Sequence, residues 1–367
     1  MSQVRSSFGS TRALVALLAF LLGFVTVPHR VCERDAIRWF DGDPGRTDAL
    51  ANGVAHWTAR ELDPAGFHTG SSRFDAEWLL VTYAMAAIGF GQLALDREET
   101  RAENLARMEH CLDVLLDPRL RWFDHEQWSE DALASRGGHV GTLGYMALPL
   151  ALHERLAPGS RFAAQEREII AALEARFEAS GLVETYPGLV SPPDNATALA
   201  ALAVHGRSPA LARGLGAIRH AVDPTTGLLL QVVGGRARAS GTALAAYFLS
   251  YADVALSRQL FRALERHQFR TVLGFGGMRE VPLGTRPAPP DAGPVVLGFG
   301  VAATGFAIGA ARAHRARDTF TALCATAHLF GGPLDEEGFR TYALGGPLGD
   351  ALLFAMLTTP HAGRVTE

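Results

Sequence analysis

Carboxylates, a histidine and arginines recur in this 367-residue chain at one kind of place, where a long loop runs into an apolar segment. In order they are Asp75 and Glu77, His139, Asp194 and Asn195, Arg238 and Ser240, Asp291, and then Asp350 one turn further in. Carboxylates and a histidine around a shared cavity can pass protons to and from a bound molecule as general acids and bases. The loop GLVETYPGLVSPPDN (181–195) adds Glu184 and Tyr186, and its three prolines make it rigid. GFGGMREVPLG (274–284) presents Arg279 and Glu280 beside glycines that let backbone approach a ligand. Asp194, Ser240 and Asp291 would also serve as helix N-caps, and Ser72-Arg-Phe-Asp75 has capping-box spacing. His139 differs, because His is a poor cap and Gly137-Gly138 ahead of it should leave it well exposed to the cavity. The expected catalytic set is therefore His139, Glu184, Asp194 and Asp291. Tyr145, Tyr186, Asn195, Arg279 and Glu280 are expected around the substrate.

Other chemistries are excluded by residues that are missing. All 34 basic residues are Arg and the chain contains no Lys. That removes Schiff-base, pyridoxal-phosphate and P-loop chemistry, each of which requires a lysine. Cys32, Cys111 and Cys324 are far apart, and no HExxH or close ligand pair occurs, so no metal is expected. No organic cofactor is expected either. Net charge is 34 − 38 = −4, and no stretch gathers Arg into a stripe, which argues against nucleic acid.

The elements that must hold these residues are helices. Past residue 45 no sustained period-2 run appears, and the periodicity predicts twelve helices, at about 46–62, 73–95, 97–117, 139–157, 160–180, 194–205, 207–222, 240–252, 255–270, 293–313, 316–329 and 347–357. Short and long connections alternate between them. Helices after a long loop are apolar and rich in small residues, as in LLVTYAMAAIGFGQLAL, whereas those after a short break are amphipathic, as in SRFAAQEREIIAALEARFEA. A helix apolar all round is buried and an amphipathic one lies at the surface. Inner helices each paired with an outer one predict an all-α fold, an (α/α)6 toroid of six helical hairpins over residues 35–367. Its cavity should open toward the long loops. Two loop segments are read further: 228–240 as a short hairpin, and WFDHEQW (122–128) as a lid or a surface cluster.

Residues 1–34 are read as a separate unit. Ala13 to Pro28 is an uncharged apolar run preceded by Arg5 and Arg12 and followed by His29 and Arg30. It is short for a full span and has no small-x-small cleavage site, so it is expected to be an uncleaved single-pass anchor. Arginines flank it on both sides; its short basic head favours export of the globular domain.

The runs RGGHVGTLGY, PPDNA (192–196), FGGMREVP and DAGPVVLGFGVAATGF together resemble the linalool dehydratase-isomerase-like family over roughly residues 70–350. The resemblance implies an (α/α)6 barrel, cofactor-free lyase chemistry, a cavity histidine at His139 and the Pro-Asp-Asn carboxylate at Asp194. Cysteines that the family's dehydratase carries on the loop ahead of Pro-Asp-Asn are replaced here by Glu184, Thr185 and Tyr186. Three functions follow as expectations: a dehydratase or isomerase acting on a small, partly apolar alcohol; a carbohydrate-active hydrolase or polysaccharide lyase of the six-hairpin class; or a non-catalytic binding toroid. A deep apolar cavity favours the first, an open aromatic-lined groove the second and a filled axis the third.

Overall fold

A computed structural model describes residues 26–281 and 294–366, with the isolated positions 16 and 23. Asp291 and most of the apolar run 13–28 lie outside the described residues. Helix α1 (26–40) precedes α2 (Pro44–Thr58), and five helical hairpins follow. These are α3 (Ser72–Asp96) with α4 (Arg101–Leu116), α6 (Val140–Leu156) with α7 (Ala163–Ser180), α8 (Pro192–His205) with α9 (Pro209–His220), α10 (Ala239–Leu249) with α11 (Val254–His267), and α12 (Val301–Ala313) with α13 (Arg317–Gly331). A short helix α5 (Trp122–Trp128) interrupts the loop before α6, and α14 (Gly346–Leu357) comes last.

The inner helices α3, α6, α8, α10, α12 and α14 pack each on the next, and α14 packs back on α3. The ring closes. The sixth outer helix is α2, which lies against α14, so the beginning of the chain completes the hairpin that its end leaves open. Small residues let the inner helices approach: a Cβ on Gly144 of α6 would stand 2.9 Å from the Ala198 backbone nitrogen of α8. Capping residues permit the short connections, since Ser208 and Asp253 accept from Leu211 and Leu256 N–H. Leu199 and Ala245 on inner helices are fully buried, while Glu99 in the α3–α4 turn and Glu168 and Arg258 on outer helices are exposed. Among the described residues α3 is the one helix long and apolar enough to cross a membrane, but 83% of its most apolar window is buried inside the ring.

Chain direction separates two ends. Short connections gather at the closed end, and the inner helices start at the mouth, where the long loops lie. The axis is filled toward the closed end. Gln92 of α3 donates to Tyr247 Oη (3.0 Å) of α10 and to Tyr251 Oη (2.5 Å) just past it, on the opposite side of the ring, and accepts from Thr358 Oγ1 (2.6 Å).

Three expectations are corrected. The long loops contain three antiparallel hairpins among the described residues: β1 (Phe269–Val272) with β2 (Phe275–Met278), β3 (Val295–Val296) with β4 (Phe299–Gly300), and β5 (Pro333–Glu336) with β6 (Phe339–Tyr342). Strands of two to four residues are too short to print a period-2 pattern. The helix expected from 293 starts only at Val301, because 295–300 form β3 and β4; Val301, expected to be buried, is consequently 56% exposed at the rim. The Arg residues of α11 do form a stripe, since spacing by four puts Arg258, Arg262 and Arg266 on one face beside Thr225 and Thr226. Segment 228–240 does fold back as a short hairpin, with Leu230 bridged to Ala237, Gln231 N–H donating to the Arg236 carbonyl at 2.9 Å and Gly235 N–H to the Val232 carbonyl at 2.9 Å.

Candidate active site

The first turns of α3 and α6 and the loop between α7 and α8 surround a narrow cleft at the mouth. It is nearly closed, with a cavity volume of about 10 Å³, room for roughly one water, and is lined by Glu77, Leu80, Phe123, Gly141, Thr142, Tyr145, Thr185 and Tyr186. Two apolar walls, Leu80 and Phe123, face a polar set that can exchange protons. Tyr186 Oη donates to Glu77 Oε2 at 2.7 Å, so a loop after α7 is tied to the start of α3. The Arg73 guanidinium lies 4.9 Å over the Tyr186 ring and donates to Gln127 of α5, which fixes that side of the cleft.

Burial sets the protonation of this group. Loss of hydration, reinforced by the nearby Asp194 carboxylate, pushes the Glu77 carboxyl up to about 7 even though the Tyr186 hydrogen bond favours its ionised form. Burial together with the Asp194 and Glu77 charges raises the Tyr145 phenol, and the same influences raise Tyr186, so both stay protonated donors. Asp194 is itself raised by burial, against hydrogen bonds with Ser191 and Thr185 that pull it down. Its Oδ2 accepts from Thr185 Oγ1 at 3.0 Å, one hydrogen bond behind the cleft wall.

Asp194 is free to do this because it is not the helix cap, as had been expected. Pro192 and Pro193 occupy the first turn of α8, where they need no donor, and Ser191 caps it by accepting from the Asp194 N–H. Asp75 likewise binds the loop ahead of it, accepting from Thr69 N–H and Oγ1. Ser240 donates to Glu280 Oε1 (2.5 Å) instead of capping α10.

His139 is placed differently from the sequence expectation. Gly138 and His139 both have left-handed backbone (φ 64° and 62°), which turns the chain sharply into α6. A Cβ on Gly138 would collide with the Trp128 ring, so glycine is required there on both counts. The turn tucks the imidazole under Trp128, ring centroids 4.4 Å apart, with no exposed surface. Its Nδ1 lies 2.6 Å from Asp124 Oδ2, and Asp124 Oδ1 accepts from Thr142 Oγ1 at 2.9 Å. His139 therefore does not line the cleft; through buried Asp124 it fixes Thr142, which does.

The remaining expected residues divide by sector. Tyr145 and Tyr186 line the cleft. Asn195 is fully buried and spent on structure: its Oδ1 accepts from Val183 N–H, and its Nδ2 donates to the Val183 and Ser191 carbonyls. It is a loop anchor, not a substrate contact. Glu184 joins the same loop to α6 through its carbonyl, which accepts from Val140 N–H at 3.1 Å. Arg279 and Glu280 sit on the β2 side of the mouth, Arg279 with its guanidinium 6.0 Å from the Phe299 ring and Glu280 fully buried against Ser240. The cleft draws on Glu77, Phe123, Thr142 and Thr185, and on Asp124 behind it, none of which entered the expected set. Glu77 had a visible signal, its place at a loop-to-helix junction; Asp124 had only its position among the aromatics of WFDHEQW.

No group of His, Cys, Asp and Glu that could hold a metal ion occurs among the described residues. The chain matches no family model and no curated protein. The resemblance to the linalool dehydratase-isomerase-like family thus rests on the quoted runs alone. Among solved structures, a polysaccharide lyase is similar over 72% of this chain and 100% of that chain, at 13% identity and a TM-score of 0.37. At that level nothing is carried from it to this chain.

Proposed function

We propose that the chain is a cofactor-free acid–base lyase of the dehydratase type, acting on a small, partly apolar alcohol at the Glu77 cleft, which must widen to admit it. The observation that carries this reading is a carboxyl held near neutral titration inside a cleft that is apolar on one side and phenolic on the other. A group with its pKa near working pH can both give and take a proton. Protonated Glu77 donates to the leaving hydroxyl, and the C–O bond breaks to release water. The Glu77 carboxylate then removes the proton from the adjacent carbon, whose C–H electrons become the new double bond, and the acid is restored. Tyr186 steadies the carboxylate between the two transfers. Asp194 acts through its charge as a positioning residue, and the His139–Asp124 pair positions Thr142. Residues 13–28 are proposed to anchor the domain to a membrane, with the domain outside the cytoplasm.

Gas chromatography of alkene formed from a panel of short-chain alcohols tests the reading. Glu77→Gln should lower turnover by about 10²- to 10⁴-fold, the usual contribution of a general acid–base group. Asp194→Asn should keep turnover at low pH and move its alkaline limb downward, because the charge that holds the Glu77 proton is gone. Full activity in Glu77→Gln would end the proposal.

A further inference from the structure

Exposed large apolar side chains are not scattered over this molecule. Among the described residues every one lies in α1, in a mouth-side loop or hairpin, or at a helix end that meets one. None lies on the outer wall or at the closed end. The hairpin turns are the extreme cases: Leu273, between β1 and β2, is 65% exposed, and Leu297, between β3 and β4, is 90% exposed. Phe330, where α13 meets β5, is 64% exposed. Side-chain and backbone contacts join these tips into one face. Gly277 of β2 packs on Phe299 of β4, the Gly276 carbonyl accepts from Thr326 of α13, and the Gly331 carbonyl accepts from Leu344 N–H.

The N-terminal end of helix α1 lies on the same face. Its last turn is at the closed end, where Arg312 donates to the Trp39 and Phe40 carbonyls. Its early residue His29 packs edge-on against Phe275 of the β1–β2 hairpin at 5.2 Å. Asp35 holds the helix in that direction through Arg46, Arg340 (3.1 Å) and His328 (2.8 Å). The helix therefore reaches the mouth side as it runs back toward residue 26, and the sequence preceding it is the apolar run from Ala13. Val27 and Val31, one turn apart, are both more than half exposed beside it.

We infer that the mouth-side face of the toroid rests on a lipid bilayer, with the Val272–Leu273, Leu297 and Phe330 tips in the interfacial layer and the Glu77 cleft opening toward lipid. An apolar face of this kind would be costly in water, and contiguous exposed apolar surface marks a docking site. Lipid is the occupant that also fits the direction of α1 and the apolar segment leading into it. The inference rests on the proposed anchor for tethering and adds the orientation of the whole domain.

Full-length protein in phosphatidylcholine–phosphatidylglycerol vesicles provides the test. In a Cys32→Ser background, Leu273→Cys, Leu297→Cys and, as an outer-wall control, Glu168→Cys each carry an environment-sensitive fluorophore. Phospholipids with a shallow nitroxide should quench the labels at 273 and 297 about threefold or more above the label at 168, as expected for side chains seated in the interface. Iodide in the water should show the reverse order. Vesicle-bound protein whose three labels respond alike would overturn the orientation while leaving the anchor intact. Protein that fails to float with vesicles would overturn both. Labels at 273 and 297 shielded from iodide and nitroxide alike would mean that a second copy covers the face, and would also overturn the inference.

Discussion

A carboxyl that shares a small cleft with two phenols and a neighbouring carboxylate keeps its proton to higher pH, because charge there is poorly hydrated and repelled. For Glu77 the consequence is a stability term as well as a rate term. Its native pKa is raised from 4.5 to about 7, so the folded state binds the proton more tightly than the unfolded chain does. Folding is therefore unpenalised below the unfolded value, and stability is lost as pH rises from about 4.5 to about 7. Glu77→Gln should flatten that part of a plot of Tm against pH, and an unchanged slope would contradict the assignment. Asp350 contributes the same sign, since burial raises it to about 7 despite donors from Trp57 and Tyr342, so some slope should remain in the variant. Turnover should fall above about pH 7, where Glu77 loses the proton it must donate.

The alternation of inner and outer helices assigns opposite tolerances to residues that look equally ordinary in sequence. Ala245 has no exposed surface on α10, a helix packed against α8, α11 and α12. Ala245→Asp should cost more than about 3 kcal/mol, because it buries an unpaired charge. Arg258 on the exposed face of α11 should accept Ala within about 0.5 kcal/mol. Urea titration of the two variants measures both, and a reversed ranking would mean that the faces are wrongly assigned. Short elements were harder to read than long ones. Helices α3, α6 and α8 announce themselves by continuous apolar runs, whereas the hairpins are too brief for their period to register and α5 is only seven residues.

At the scale of the molecule, closure is the event on which the rest depends. α2 joins α14 and α14 joins α3, so the two ends of the chain complete one ring. Gln92 then reaches across the axis to α10 and α14, leaving its partners satisfied away from water. Gln92→Leu removes that link and leaves buried hydroxyls with fewer partners, at a cost of about 1–3 kcal/mol. The loss should appear as a lower Tm, with cleft chemistry unchanged, because Gln92 lies toward the closed end. A Tm equal to that of the parent would show that the plug does not hold the ring.

Sequence alone determined the helical class and the inner and outer roles, because burial on one face or all round is written directly in apolar periodicity. Tyr145 and Tyr186, expected around a substrate, line the cleft. Only the tertiary structure decided which polar residues meet. His139 was expected to be open, but two consecutive left-handed residues turn it under Trp128. Asp194 was read as a possible cap, but two prolines shift the cap to Ser191. Glu77 became the centre of the cleft because Tyr186, 109 residues away, bonds to it. Such meetings depend on ring closure and loop path, and neither leaves a periodic trace in the residues that take part.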